Sequence, residues 1–282
     1  MPENSEKTLR NRKGLAARLL DLFIIANLAF LALDVFLAHS VNAFAHPAEW
    51  IPFYFSLGAS VLLALILFGK RRRWRVWCRF GVGWGAICIG ISGMFFHLGS
   101  EFFSDLTLKN LVYTAPFVAP LAFTGVGLLL IMNGMIHDTD LEWAQWVVFM
   151  AGFGWCGNFI LSVFDHAQNG FFNPSEWLPV FTSAIAVGCL TTLFLVPHRP
   201  TFLRFCAVVL GINFIVGIAG FFFHLTVDLQ APGVTQIDKF LYGAPLFAPL
   251  LFPNLSLLAL LGIWKMSTIS GTLGCNSRPK VQ

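Results

Sequence analysis

Eight stretches of the chain are almost purely apolar, and polar or charged residues bound each one. They cover about 15–39, 52–69, 75–97, 114–135, 143–166, 178–196, 201–225 and 243–265. A helix rises about 1.5 Å per residue, so roughly 20 apolar residues cross the hydrocarbon core of a bilayer. The apolar positions run on without alternation, which predicts helices rather than the strands of a closed barrel. The expected fold class is therefore all-α: a polytopic membrane protein with eight transmembrane helices.

The polar punctuation between these stretches recurs. At an offset of 127, His39, Asn42, Phe44, Pro47, Glu49, Trp50, Pro52 and Ser56 meet His166, Asn169, Phe171, Pro174, Glu176, Trp177, Pro179 and Ser183. At the same offset "GISGMFFHLGSE" (90–101) meets "GIAGFFFHLTVD" (217–228), which aligns His97 with His224 and Glu101 with Asp228. Two residues later in register, "YTAPFVAPL" (113–121) meets "YGAPLFAPL" (242–250). Three matched blocks in one order predict an internal duplication. The expected division is a tail at 1–14, one four-helix repeat at 15–137, a second at 138–266, and a tail at 267–282. An even number of helices per repeat makes the two like-oriented, related by an axis along the membrane normal.

Composition strengthens the membrane reading. The 282 residues are 57% hydrophobic and 11% charged, against about 25% charged in ordinary soluble domains. A formal net charge of +4 with no basic binding face argues against a nucleic-acid partner. Lys and Arg set the orientation. They gather in the N-terminal tail, in "KRRRWRVWCR" between the second and third spans, at Arg199 and Arg204, and at Lys265, Arg278 and Lys280. The other side holds Lys109 and Lys239. By the positive-inside rule both termini are expected in the cytoplasm, and the repeated turn outside. The acidic "HDTDLEW" between the fourth and fifth spans is an exception on the basic side. The first span is too long for a signal-peptide core and lacks a cleavage site, so it is expected to stay. A multi-pass protein of a bacterial cytoplasmic membrane is the expected setting. Its partners would be membrane lipids, with other membrane proteins or a second copy as further candidates. Six cysteines without a CxxC suggest neither a disulfide framework nor a thiolate metal site.

Candidate chemistry follows from depth. His39, His97, His166 and His224 each lie about one bilayer thickness from the basic-side end of their spans. Glu49 and Glu176 open the second and sixth spans at the same level. Glu101 and Asp228 lie four residues beyond a histidine, on its face if the helix continues. The expected sites are therefore His39, Glu49, His97 and Glu101 in one half, and His166, Glu176, His224 and Asp228 in the other. Two imidazoles with carboxylates suit a divalent metal: zinc, manganese or iron.

Other readings use the same residues. Gly90 and Gly93 below His97, and Gly217 and Gly220 below His224, form stripes that could admit a flat macrocycle. His39 with His97, and His166 with His224, would then be axial ligands of haem b. The bland counterpart is close helix packing against the glycines. Pro116 and Pro120, like Pro245 and Pro249, each remove a donor and free the carbonyl four residues earlier. Such kinks line transport paths, so a small-solute or ion transporter is an alternative, as is a structural subunit of a membrane complex. Asp34 faces Leu161 across the repeat, and His46, His137 and His198 lack a counterpart, so none enters the site. No nucleophile elbow, zincin or phosphate-loop motif is present.

Overall fold

The computed structural model describes residues 14–68, 72–196, 199–232 and 235–276. The basic tail 1–13, Lys70, Arg71, His198, Arg278 and Lys280 lie outside the described residues. Every described element is helical, and no strand occurs among the described residues. In chain order the α-helices are α1 (Leu15–Ser40), α2 (Trp50–Phe68), α3 (Arg72–Leu98), α4 (Leu108–Tyr113) and α5 (Leu121–Met135). The second half follows with α6 (Leu141–Gln168), α7 (Trp177–Leu195), α8 (Pro200–Gln230), α9 (Gln236–Tyr242) and α10 (Leu251–Asn276).

Among the described residues, seven helices are long and apolar enough to cross a membrane. The chain is thus an integral, multi-pass helical membrane protein. The expected span at 114–135 takes a different form. Its first residues, from Thr114 to Pro120, make a non-helical turn, and only the 15 residues of α5 are helical. At 1.5 Å per residue α5 is about 22 Å long, short of the hydrocarbon thickness. Prolines at 116 and 120 remove two helical donors one turn apart, which explains where the helix fails. The second half behaves alike at Pro245 and Pro249: a short 3₁₀ turn at Ala248–Leu250 leads into α10. The short helices α4 and α9 stand before these turns, where no element was expected.

Packing follows the apolar stripes. Leu20, Ile24 and Leu28 recur at four-residue spacing on α1 and are fully buried, as are Trp143, Val147, Ala151 and Trp155 on α6. α3 packs on α5, α8 on α10, and α6 on both α7 and α10. A polar network ties the basic-side end together. The Asp21 carboxylate accepts from Arg79 Nη2 and from Asn133 Nδ2, both at 2.7 Å. Asn133 Oδ1 accepts from Trp143 Nε1 at 2.9 Å. Asp138 accepts from the backbone N–H groups of Gly14 and Ala17 and so caps α1. Four helices (α1, α3, α5 and α6) therefore meet through hydrogen-bonded polar groups in an apolar interior.

Candidate functional site: paired histidine–glutamate clusters

The site begins with a tight turn written twice. After α1, Phe44 N–H donates back to His39 O at 3.0 Å and to Asn42 Oδ1 at 3.1 Å. After α6, Phe171 N–H donates to His166 O at 3.0 Å and to Asn169 Oδ1 at 3.1 Å. Closing the chain this sharply puts Ala43, Phe44, Gly170 and Phe171 in the left-handed region, at φ 55°, 52°, 75° and 51°. Phe44 then stacks on Trp50 with ring centres 3.8 Å apart, and Phe171 stacks on Trp177 at 4.1 Å. A 3₁₀ turn, Pro47–Glu49 or Pro174–Glu176, follows in each case. It brings the glutamate back over the histidine of the preceding helix. His39 Nδ1 lies 3.6 Å from Glu49 Oε2, and His166 Nδ1 lies 3.7 Å from Glu176 Oε2.

The third member of each cluster comes from α3 or α8. His97 Nδ1 bonds the Pro116 carbonyl at 3.0 Å, and His224 Nδ1 bonds the Pro245 carbonyl at 2.9 Å. A carbonyl only accepts, so each Nδ1 donates, and in the neutral ring Nε2 is the nitrogen that holds the lone pair. The prolines explain why these carbonyls are available. In a regular helix Pro116 O and Pro245 O would take the N–H four residues on, but positions 120 and 249 are proline. Val112 O, freed in the same way by Pro116, accepts from Gln168 Nε2 of α6 at 2.8 Å. The glycine stripes let the turn approach. A Cβ on Gly90 would stand 2.8 Å from Pro120 O, and one on Gly217 would stand 2.7 Å from Pro249 O. The slot that a macrocycle would need is thus filled by α5 and α10.

The His39 and His97 rings meet edge to face, with centres 6.2 Å apart and an interplanar angle of 76°. Glu49 is close enough to act electrostatically on both, and His224 is within the same reach of His166. In each half the glutamate keeps one buried oxygen, Oε2, without a hydrogen-bond partner. Glu49 Oε1 is held by Asn42 Nδ2 at 3.0 Å. As the side chains stand, no three His, Cys, Asp or Glu groups among the described residues close around one point to hold a metal ion.

The two remaining carboxylates go elsewhere. α3 ends at Leu98, so Glu101 leaves the His97 face and is exposed ahead of the 3₁₀ turn Phe102–Ser104. α8 continues to Gln230, and Asp228 is fully buried. Its Oδ1 accepts from Ala244 N–H at 2.7 Å. The equivalent bond in the first half is made by Ser100 Oγ, which accepts from Ala115 N–H at 3.0 Å and pairs with Thr114 Oγ1 at 2.9 Å. Asp228 therefore does the work of Ser100, and Gly243 supplies the room: a Cβ there would collide with the Asp228 carboxylate. Asp165, one residue before His166, lines a small crevice against Pro116, Phe117 and Val118. Ser100, Thr114 and Asp165 carry no periodic signal in the sequence. No protein-family model matches the chain, and no curated protein or solved structure shows a significant match to it.

Proposed function

We propose that the chain is an eight-span protein of two like-oriented four-helix repeats, 15–137 and 138–266, with both termini in the cytoplasm. Each repeat binds one divalent metal ion (zinc, manganese or iron) at the extracytoplasmic end. The ligands are His39, Glu49 and His97 in the first repeat and His166, Glu176 and His224 in the second. Glu101 leaves the ligand set because it is exposed past the helix end, and Asp228 because its Oδ1 is committed to the Ala244 backbone at the start of the proline turn, although its Oδ2 makes no hydrogen bond.

The observation that carries this reading is the character of the unpaired atoms. In both halves a histidine is tautomer-locked by a backbone carbonyl, and a buried glutamate oxygen makes no hydrogen bond but lies beside a ring nitrogen, His39 Nδ1 at 3.6 Å or His166 Nδ1 at 3.7 Å. A cation seated among these groups would take electron pairs from the carboxylate and the rings. A metal-bound histidine commonly gives its other ring N–H to a carbonyl, as His97 and His224 do. With metal–nitrogen bonds of about 2.0–2.1 Å, rings 6.2 Å apart could share one ion once a nitrogen of each is turned toward it, with Glu49, paired to His39, as the third ligand. Three protein ligands leave coordination positions for water or an anionic substrate. Haem is the weaker reading, since α5 and α10 fill the glycine stripes.

Elemental analysis of the detergent-purified protein tests the assignment. The expected stoichiometry is two ions per chain, one in His97→Ala, and none in the His97→Ala/His224→Ala double variant with helicity retained. Unchanged metal content in the double variant would sink the proposal.

A further inference from the structure

At the opposite, basic-side end of the molecule, the acidic segment 138–142 divides into two roles. Asp138 caps α1. Glu142 does something else: it heads a groove of about 200 Å³ between α6, α7 and α10, lined by Glu142, Gln145, Trp146, Phe149, Phe194 and Met266. Glu142, Trp146, Phe149 and Phe153 fall at i, i+4, i+7 and i+11, a single face of α6. Their rings run in contact, with Trp146–Phe149 at 5.4 Å and Phe149–Phe153 at 4.8 Å, and Phe194 of α7 closes on Phe149 at 4.9 Å. Eleven residues of helix measure about 16 Å, the hydrocarbon depth of one leaflet.

The mouth has its own chemistry. Glu142 is exposed, and its Oε1 accepts from Trp146 Nε1 at 3.3 Å. No basic side chain among the described residues pairs with it. A carboxylate beside an indole face and the Gln145 amide forms a receptor for an ammonium group, through charge-assisted hydrogen bonds and cation–π attraction. Charge complementarity, depth and the aromatic wall select one occupant. We propose that this groove is a binding site for a phospholipid with a primary ammonium headgroup, phosphatidylethanolamine. The headgroup lies on Glu142 and Trp146, and one acyl chain lies along Phe149, Phe153 and Phe194. At the offset of 127 the first half has Leu15, Leu19, Leu22, Ala26 and Leu67 in these places, with neither acid nor aromatic ring. The site therefore occurs once per chain.

Native mass spectrometry of the full chain, released from nanodiscs of phosphatidylethanolamine, phosphatidylglycerol and phosphatidylcholine in equal parts, tests this. One phosphatidylethanolamine per chain is expected to be retained above the others. Glu142→Gln should cut that preference roughly five- to tenfold, as for loss of one charge-assisted hydrogen bond. Trp146→Leu should weaken it in the same direction, and phosphatidylglycerol retention should not move. The proposal fails if the wild-type chain does not discriminate among the three lipids, if Glu142→Gln keeps the preference, or if phosphatidylcholine is held equally well. None of these outcomes depends on metal content, so the two proposals stand or fall separately.

Discussion

His97 and His224 show how one backbone atom can fix the chemistry of a side chain. Each ring gives its Nδ1 proton to a proline carbonyl and turns its other nitrogen outward. Asp228 and Ser100 show the reverse, two different side chains fixing the same backbone N–H. Asp228→Asn keeps an acceptor for Ala244 N–H and should leave stability near wild type. Asp228→Ala orphans that N–H in a buried place and should cost about 1–3 kcal/mol, read as a lower unfolding midpoint in detergent. Among the eight expected ligand residues the structure sets His39 beside Glu49 and His166 beside Glu176. The Glu101–Asp228 match was misleading, because spacing of four on a helix implies a shared face only while the helix lasts. α3 stops at Leu98, and the sequence "HLGSE" holds no proline to announce it.

At the scale of the element, the proline pairs shape both the short helix α5 and the histidine's anchor. The freed carbonyl was legible in the sequence, since proline chemistry alone requires it. That an imidazole takes it was not, because the approach depends on Gly90 and Gly217 letting a second helix come close. Pro120→Ala would restore an N–H able to compete for Pro116 O. Metal affinity in the first half is then expected to fall about tenfold, as for other losses of an outer-shell partner, while the second half is unchanged. A titration with two separable binding steps, only one of them weakened, is the expected result. Equal weakening of both steps would count against the anchor. Six of the expected spans match helices whose ends lie within five residues of the expected bounds, because unbroken apolar runs have no other solution in lipid, whereas α10 starts and ends well beyond the expected 243–265. α4 and α9, six and seven residues long, give too little pattern to be read.

For the whole molecule, α1, α3, α5 and α6 are joined at the basic-side end by the Asp21–Arg79–Asn133–Trp143 network. Asn133→Leu leaves the Trp143 Nε1–H without an acceptor in a fully buried site, and should cost about 2–3 kcal/mol. Adding Trp143→Phe removes the orphaned donor, so the double variant should cost less than the sum of the single ones. Additive losses in a thermal unfolding series would show that the bond does not couple the two helices. This network was not legible from the sequence, since Asn133 and Trp143 occupy apolar runs and nothing in either run marks them as partners. The duplicated turn, by contrast, was plain from identity alone, and it leaves a built-in control. Ala43 adopts a backbone twist that costs an L-residue energy, whereas the same place in the later half is Gly170, which adopts it freely. Ala43→Gly should therefore raise the unfolding midpoint slightly, and the protein already carries the proof of principle 127 residues downstream.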